Sequence, residues 1–395
     1  MHSGEEIENK VLDLLEPLTK EGFELKKESR WQTPQGIVNY DIAILFKGIL
    51  FAIVETKSSL NEQTKAQLKA AVDSSTAFYG IITDSKNYYL YSKKHKFETK
   101  TFDDIADFLI KNKPKPVTDL PSEIENLLKK QYFNDSLKKQ IRESVYINKL
   151  GGYCYGLLDL DDTFERKLMY ENSNKMQKDF YRYVPFDTAF SILKNNTYRM
   201  NGIAGMNDKA EVLFFENKDS ELTEKNDKNN VFISSFSRRK DDLTMWRLYG
   251  DDGKGVCLVF TKKEDDVNES FWLYPVNYNE KYKKYLIEMC NKGFKINNIE
   301  KWICFFKNKN FKTENEVRLL VLDQSNKKEW YKTNDSSIIN PYIEIDLNDS
   351  KFPLKLTKVI LGPKCPESAY NKAQMESMLK DKNIEVSPSK IDIYR

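Results

Sequence analysis

The stretch Asn39 to Ser59, NYDIAILFKGILFAIVETKSS, constrains the fold more than any other, because two apolar strands flank a glycine turn yet carry Asp41, Glu55 and Lys57. A loop of Lys47, Gly48 and Ile49, a common hairpin length where a glycine is present, sets a register in which Asp41 faces Glu55. Side chains of such a pair sit about 5 Å apart at Cβ, so the two carboxylates repel unless a cation or a proton compensates them. Lys57 follows Glu55 by two residues and shares its face. The spacing admits two outcomes. In one, Asp41 and Lys57 form a satisfied ion pair while Glu55 faces solvent at the strand end. In the other, the carboxylates share a hard divalent cation, Mg²⁺ or Mn²⁺, which orients and acidifies a water for in-line attack on a phosphodiester.

Composition narrows the chemistry. The chain has 395 residues, enough for two or three domains, and 40% of them are hydrophobic. Its apolar runs are strand-length and no signal-peptide pattern opens it, so a cytoplasmic protein away from membranes is expected. Five scattered cysteines without a Cys-x-x-Cys pair argue against a zinc site or a disulfide framework. Only two histidines are present, His2 and His95, and neither sits in a catalytic pattern. Triads, HEXXH proteases and histidine-dependent nucleases therefore have no histidine to use, leaving carboxylates, Lys, Arg, Ser and Tyr. Residues 1 to 100 hold 14 basic and 14 acidic side chains, so affinity for DNA would come from local patches such as Lys93 to Lys96, or from another subunit.

The flanking sequence resembles the N-terminal nuclease domain of type I restriction enzyme R subunits, within the PD-(D/E)XK endonuclease superfamily. The matching residues are Asp41, then Glu55-Thr56-Lys57, then Gln67 in a helical stretch Glu62 to Tyr79, then the strand pair in FYGIITDSKNYYLYSKK. Asn39-Tyr40 stands where many members carry a proline. The resemblance covers roughly residues 1 to 110. It implies a catalytic set of Asp41, Glu55, Lys57 and Gln67, a metal held by Asp41, Glu55 and Thr56, an approach of Glu8 toward that metal, and DNA as substrate. No glycine-rich phosphate loop is present; GDDGKG at Gly250 to Gly255 lies between a helix-like segment and a strand. A complete translocating restriction enzyme would need one.

The expected architecture is an α/β restriction-endonuclease-like core at 1–112, a proline-containing linker and helical connector at 113–179, and an α+β domain at 180–395. Lys111 to Pro121 carries three prolines and reads as a domain edge, followed by a helical stretch near Ser122 to Tyr146. YRYVPF, VFISSFS, GKGVCLVF, FWLYPVNY, EVRLLVL, YIEIDL and VILGP read as strands, with helices near Asp187 to Lys194, Asn279 to Lys292 and Pro366 to Lys380. This region resembles a bacterial family of unknown function through YRYVPFDTAFSIL, Met206-Asn207-Asp208 with Glu211, SFS, Met245 to Tyr249, GKGVCLVF and Glu314 to Arg318.

Arg182, Ser235, Ser237, Glu314 and Glu316 are also similar in order to the Arg-Ser-Glu set of ADP-ribosyltransferases, which implies NAD as a second cofactor candidate. Phe236 stands where that family has threonine, and exposed strand glutamates paired to Arg318 or to lysines are the plain alternative. Trp246 and Tyr249, three apart on a helix, serve either a stacking site or core packing. The leading expectation is a Mg²⁺-dependent DNA endonuclease acting in antiphage defence, homo-oligomeric, with a C-terminal domain that responds to a protein or nucleotide trigger or adds a second toxic activity. The alternative is an ADP-ribosyltransferase effector whose N-terminal domain only binds nucleic acid.

Overall fold

The computed structural model describes residues 4–159, 178–203, 231–263, 271–322 and 329–392, apart from short interruptions at 34–35, 58–59, 85–86, 93–94, 101, 131–132, 134, 151, 298, 300–301, 303 and 333–338. Two compact units emerge, one built on Met1–Glu165 and Lys284–Asn298, the other on Arg166–Asn217, Lys225–Lys283 and Ile299–Arg395. Met206, Asn207, Asp208, Glu211, Lys93 and Lys94 lie outside the described residues.

The first unit is a mixed α/β layer structure. Helices α1 (Gly4–Leu15) and α2 (Pro17–Lys20) precede β1 (Phe23–Thr33), β2 (Gly36–Phe46) and β3 (Ile49–Thr56); α3 (Glu62–Ser74) then leads to β4 (Tyr79–Thr83), β5 (Tyr88–Ser92), β6 (His95–Lys100) and α4 (Phe102–Lys111). The sheet order follows the sequence, β1 to β6, and only the β3–β4 step is parallel. That parallel step requires a crossover, which α3 supplies. Alternation along the strands makes two apolar faces. Ile42, Ile44, Val54 and Ile81 pack with Val11, Leu15, Ile105 and Leu109 on one side. Ala43, Leu45, Ile53 and Ile82 pack with Leu68 and Val72 of α3 on the other. Each fully buried aliphatic side chain contributes roughly 1.5–3 kcal/mol, and this two-sided burial explains the near-continuous apolar run of β3.

The stretch expected as a linker places Lys115–Pro116 (β7) beside β8 (Val145–Asn148), which pairs β9 (Gly152–Tyr155) in a small sheet. The helix expected over Ser122 to Tyr146 is instead two, α5 (Ser122–Leu128) and α6 (Asp135–Glu143), and Tyr146 belongs to β8. Asp135 opens α6 as an acidic first-turn residue, and the β-branched Val-Tyr-Ile run takes the extended conformation. Strand β10 (Leu157–Leu158) pairs a later strand at Lys295–Ile296 in parallel.

The second unit is α+β. A ten-stranded sheet includes β11 (Asp179–Val184), β12 (Thr197–Gly202), β13 (Val231–Ser237), β14 (Val256–Lys262), β15 (Phe271–Pro275) and β17 (Glu316–Leu322), with β16 the name given to Lys295–Ile296 of the first unit. Phe232, Phe236, Val317 and Leu319 share one core with Phe180 and Val184. Tyr181, Tyr183 and Cys257 point to the opposite face, where Trp246 of the helix Leu243–Tyr249 packs.

Candidate functional site

The Asp41–Glu55 register is reached by a shorter turn than the sequence suggests. Lys47 and Gly48 form a two-residue turn, both with positive φ (50° and 78°), and Phe46 pairs Ile49. A bulge between Ile44 and Leu45 on the ladder then restores the frame, so Ile42 pairs Val54. The ladder ends there. One residue further on, Asp41 replaces the missing backbone partner with its carboxylate: Oδ2 accepts from the Thr56 N–H at 2.6 Å and from Thr56 Oγ1 at 2.8 Å.

Glu55 and Lys57 close the other side. Lys57 Nζ donates to Glu55 Oε2 at 2.8 Å, so the lysine pairs with Glu55 and not with Asp41. The Glu55 side chain is 16% exposed and that of Lys57 34%. Burial lifts the Glu55 pKa above the ordinary carboxylate range; Lys57 counters the rise and Asp41 adds to it. Burial also works against the Lys57 charge, but the bond to Glu55 and the fields of Glu55 and Asp41 leave the ammonium pKa raised. Asp41 Oδ1 and Glu55 Oε1 make no hydrogen bond to the described residues.

A hard divalent cation fits this donor set. Two half-buried carboxylates, each with an uncommitted oxygen and a mutual repulsion visible in Glu55, suit an ion commonly held by one or two carboxylates with water and phosphate completing its shell. No group of three or more His, Cys, Asp or Glu side chains arranged for a metal occurs among the described residues. The remaining donors would therefore come from solvent, backbone or substrate.

Neither Gln67 nor Glu8 makes a hydrogen bond or ion pair with Asp41, Glu55 or Lys57. Gln67 is exposed on α3 and bonds to none of Asp41, Glu55 or Lys57. Glu8 is buried beside Lys27 at 3.9 Å. Thr56, expected as a metal ligand, also donates to Asp41 and orients it. That role was missed because it depends on where the ladder stops.

The second unit gathers the other sequence candidates unevenly. Ser237 pairs Glu316, and Tyr181 pairs Ser237, so these residues share the face that carries Tyr181 and Trp246. Arg182 alternates with Tyr181 and falls on the opposite face, where it donates from Nη1 to the Ser235 carbonyl at 2.5 Å. Ser237 Oγ donates to the Glu314 carbonyl at 2.8 Å.

Glu314 and Glu316 are buried, 7% and 5% exposed, and both are consumed by partners. Lys307, absent from the sequence reading, bridges them from Nζ at 2.8 Å and 3.2 Å. Arg318 donates from Nε to Glu316 Oε1 at 2.8 Å and from Nη2 to Oε2 at 3.2 Å. Tyr249 donates to Glu314 Oε1 at 2.8 Å, and the Glu316 N–H donates to Tyr278 Oη at 3.0 Å. Burial alone would raise the Glu316 pKa; Arg318 first, then Lys307 and the Ser235 hydroxyl, reverse this and hold it at about 2. Two acids and two bases make the cluster neutral, and no carboxylate oxygen is left for a ribose. Trp246 is fully buried edge-on to Tyr183, so it is core, whereas Tyr249 is 43% exposed.

No curated protein matches the sequence. The model of a family described as a protein of unknown function (DUF2971) matches residues 245–319. This span holds the Met245 to Tyr249, GKGVCLVF and Glu314 to Arg318 elements, while YRYVPFDTAFSIL lies before it. Among solved structures, a candidate nuclease of DUF820 from Anabaena variabilis is similar at 11% identity over 31% of this chain and 74% of that one, with a TM-score of 0.22. The DrdV chain of a DrdV–DNA complex is similar at 15% identity and a TM-score of 0.23, over 33% of this chain and only 13% of its own length.

Proposed function

We propose that the first unit is a metal-dependent DNA endonuclease of the PD-(D/E)XK type, using Mg²⁺ or Mn²⁺. The observation that supports this most is the convergence, where β2 and β3 part, of two half-buried carboxylates, each with one oxygen that no described residue hydrogen-bonds, and a lysine beside them. A bound cation would supply charge neutralisation at the phosphate and a more acidic water. Asp41 and Glu55 would hold it, and Thr56 fixes the Asp41 carboxylate through two bonds. Lys57 stays charged above neutral pH and offers its ammonium to the phosphate or to the attacking water. The cytoplasmic defence role, with a second unit that responds to a trigger, is part of the same proposal. The closed network around Glu316 favours a structural or regulatory second unit over a transferase. Incubating the full chain with plasmid and Mg²⁺, beside labelled NAD⁺ and cell extract, tests both: nicking with no transfer of label is expected, and label transfer without nicking overturns it.

A further inference from the structure

A row of cross-strand partners extends from the carboxylate pair across the face that α3 covers. Glu55 pairs Ile82 on β4, and Ile82 pairs Tyr89 on β5. Ile82 and Tyr89 belong to the same side cluster as Leu68 and Val72 of α3. With strands about 4.8 Å apart, Tyr89 lies about 10 Å from Glu55 on the same face.

Two contacts fix how α3 runs over this face. Lys65, in the first turns of α3, holds its Nζ 4.0 Å from the centre of the Tyr89 ring. Asp73, near the other end, accepts from Tyr91 Oη at 2.9 Å, and Tyr91 belongs to the row of Gly80 and Ile53. The start of α3 therefore lies over the Glu55 row and its end over the neighbouring, apolar one. The side chain of Lys65 is 18% exposed, and its acidic partner among the described residues, Glu62 at 2.8 Å, is 91% exposed. An ion pair with so solvated a partner is weak and exchanges readily for a stronger anion. The aromatic platform instead keeps the ammonium at a set place.

We propose that Lys65, seated on Tyr89, is a DNA-phosphate contact of the candidate nuclease face, binding the same strand a short distance from the phosphate at Asp41 and Glu55. It is a positioning residue, not a catalytic one. On one strand, phosphates recur about every 3.4 Å along the helix axis, so a cation seated on Tyr89, two strand spacings along the row from Glu55, meets a neighbouring phosphate and not the scissile one. Lys57 and Lys65 then track the backbone together. The inference rests on the nuclease reading, yet it is read through binding and needs no cleavage.

The experiment is anisotropy of a labelled duplex with the full chain in Ca²⁺, over roughly 50 to 200 mM salt, where each phosphate contact contributes about 0.9 to the slope of log K against log salt. Lys65→Ala and Lys65→Gln should each make the slope shallower by about 0.9, and Lys65→Arg should restore it. Lys10→Ala, on α1, should leave it unchanged. Melting curves matching wild type confirm that the fold survives. A wild-type slope in Lys65→Ala, an equal loss in Lys10→Ala, or failure of the wild type to bind duplex would each overturn the proposal. Plasmid cleavage in Mg²⁺ on the same samples reports on the nuclease reading separately, so a slope change without cleavage removes the nuclease and keeps the contact.

Discussion

Replacing Lys57 with methionine separates holding the metal from using it. Lys57 Nζ sits 2.8 Å from Glu55 Oε2, so a cation bound to Glu55 at the roughly 2.1 Å usual for Mg²⁺ would lie about 5 Å from a positive charge. Coulomb repulsion between a divalent ion and an ammonium at that distance is about 1.7 kcal/mol with the dielectric of water, and rises several-fold at an effective value near 20. The lower figure suits a lysine one-third exposed. Lys57→Met should therefore bind Mg²⁺ or Mn²⁺ about tenfold more tightly at pH 8, while cleavage falls by two orders of magnitude or more. Isothermal titration with either metal reads the affinity, and plasmid nicking at saturating metal reads the rate. Weaker metal binding in Lys57→Met would refute the placement of the cation between the two carboxylates. Heat signals absent from both proteins would leave only a structural ion pair.

The remaining expectations concern pH and packing. The raised Glu55 pKa contributes stability that is full below the ordinary carboxylate range and is lost as pH rises through the shifted value, and metal affinity should climb over the same window; a pH-independent affinity in that range would contradict the assignment. Glu316, held at about 2, contributes about 3 kcal/mol that is present above the usual glutamate range and is lost as pH falls from there toward 2, so Glu316→Gln should flatten the acid limb of unfolding followed by near-ultraviolet circular dichroism. Lys307→Met leaves Glu314 and Glu316 with one cation fewer at buried positions and should destabilise by about 3–5 kcal/mol in chemical denaturation. Gly80→Ala places a Cβ 2.5 Å from Val72 and 2.9 Å from Leu68, so it should push α3 off the sheet and destabilise by about 1–3 kcal/mol; a neutral effect would mean that α3 is not seated there.

The Ile42–Val54 frame, one residue before Asp41 and Glu55, was legible in the sequence for a partly wrong reason. A three-residue loop and a two-residue turn with a bulge yield the same frame at Ile42 and Val54, because the bulge adds the residue that the shorter turn removes. What alternation and turn chemistry could not reveal was the end of the ladder, hence the bonds from Thr56 to Asp41 and the pairing of Lys57 with Glu55. In the second unit, VFISSFS and EVRLLVL were read as strands with their observed bounds, since both are short, largely apolar runs that include valine or isoleucine. Lys307 was invisible: it reaches Glu314 and Glu316 across a 3₁₀ turn, Lys309–Glu314, and no periodic pattern announces such a contact. Lys65 on Tyr89 required the positions of three neighbouring strands and of α3 over them.

The most direct measurement is supercoiled-plasmid cleavage by the full chain in Mg²⁺, with Asp41→Ala, Glu55→Ala and Lys57→Ala beside the wild type and Ca²⁺ and chelator as controls. Cleavage by the wild type in Mg²⁺ alone, abolished in all three variants whose melting stays cooperative, is the expected result. Undiminished cleavage in either carboxylate variant, or cleavage in chelator, would contradict a metal-dependent site at Asp41 and Glu55.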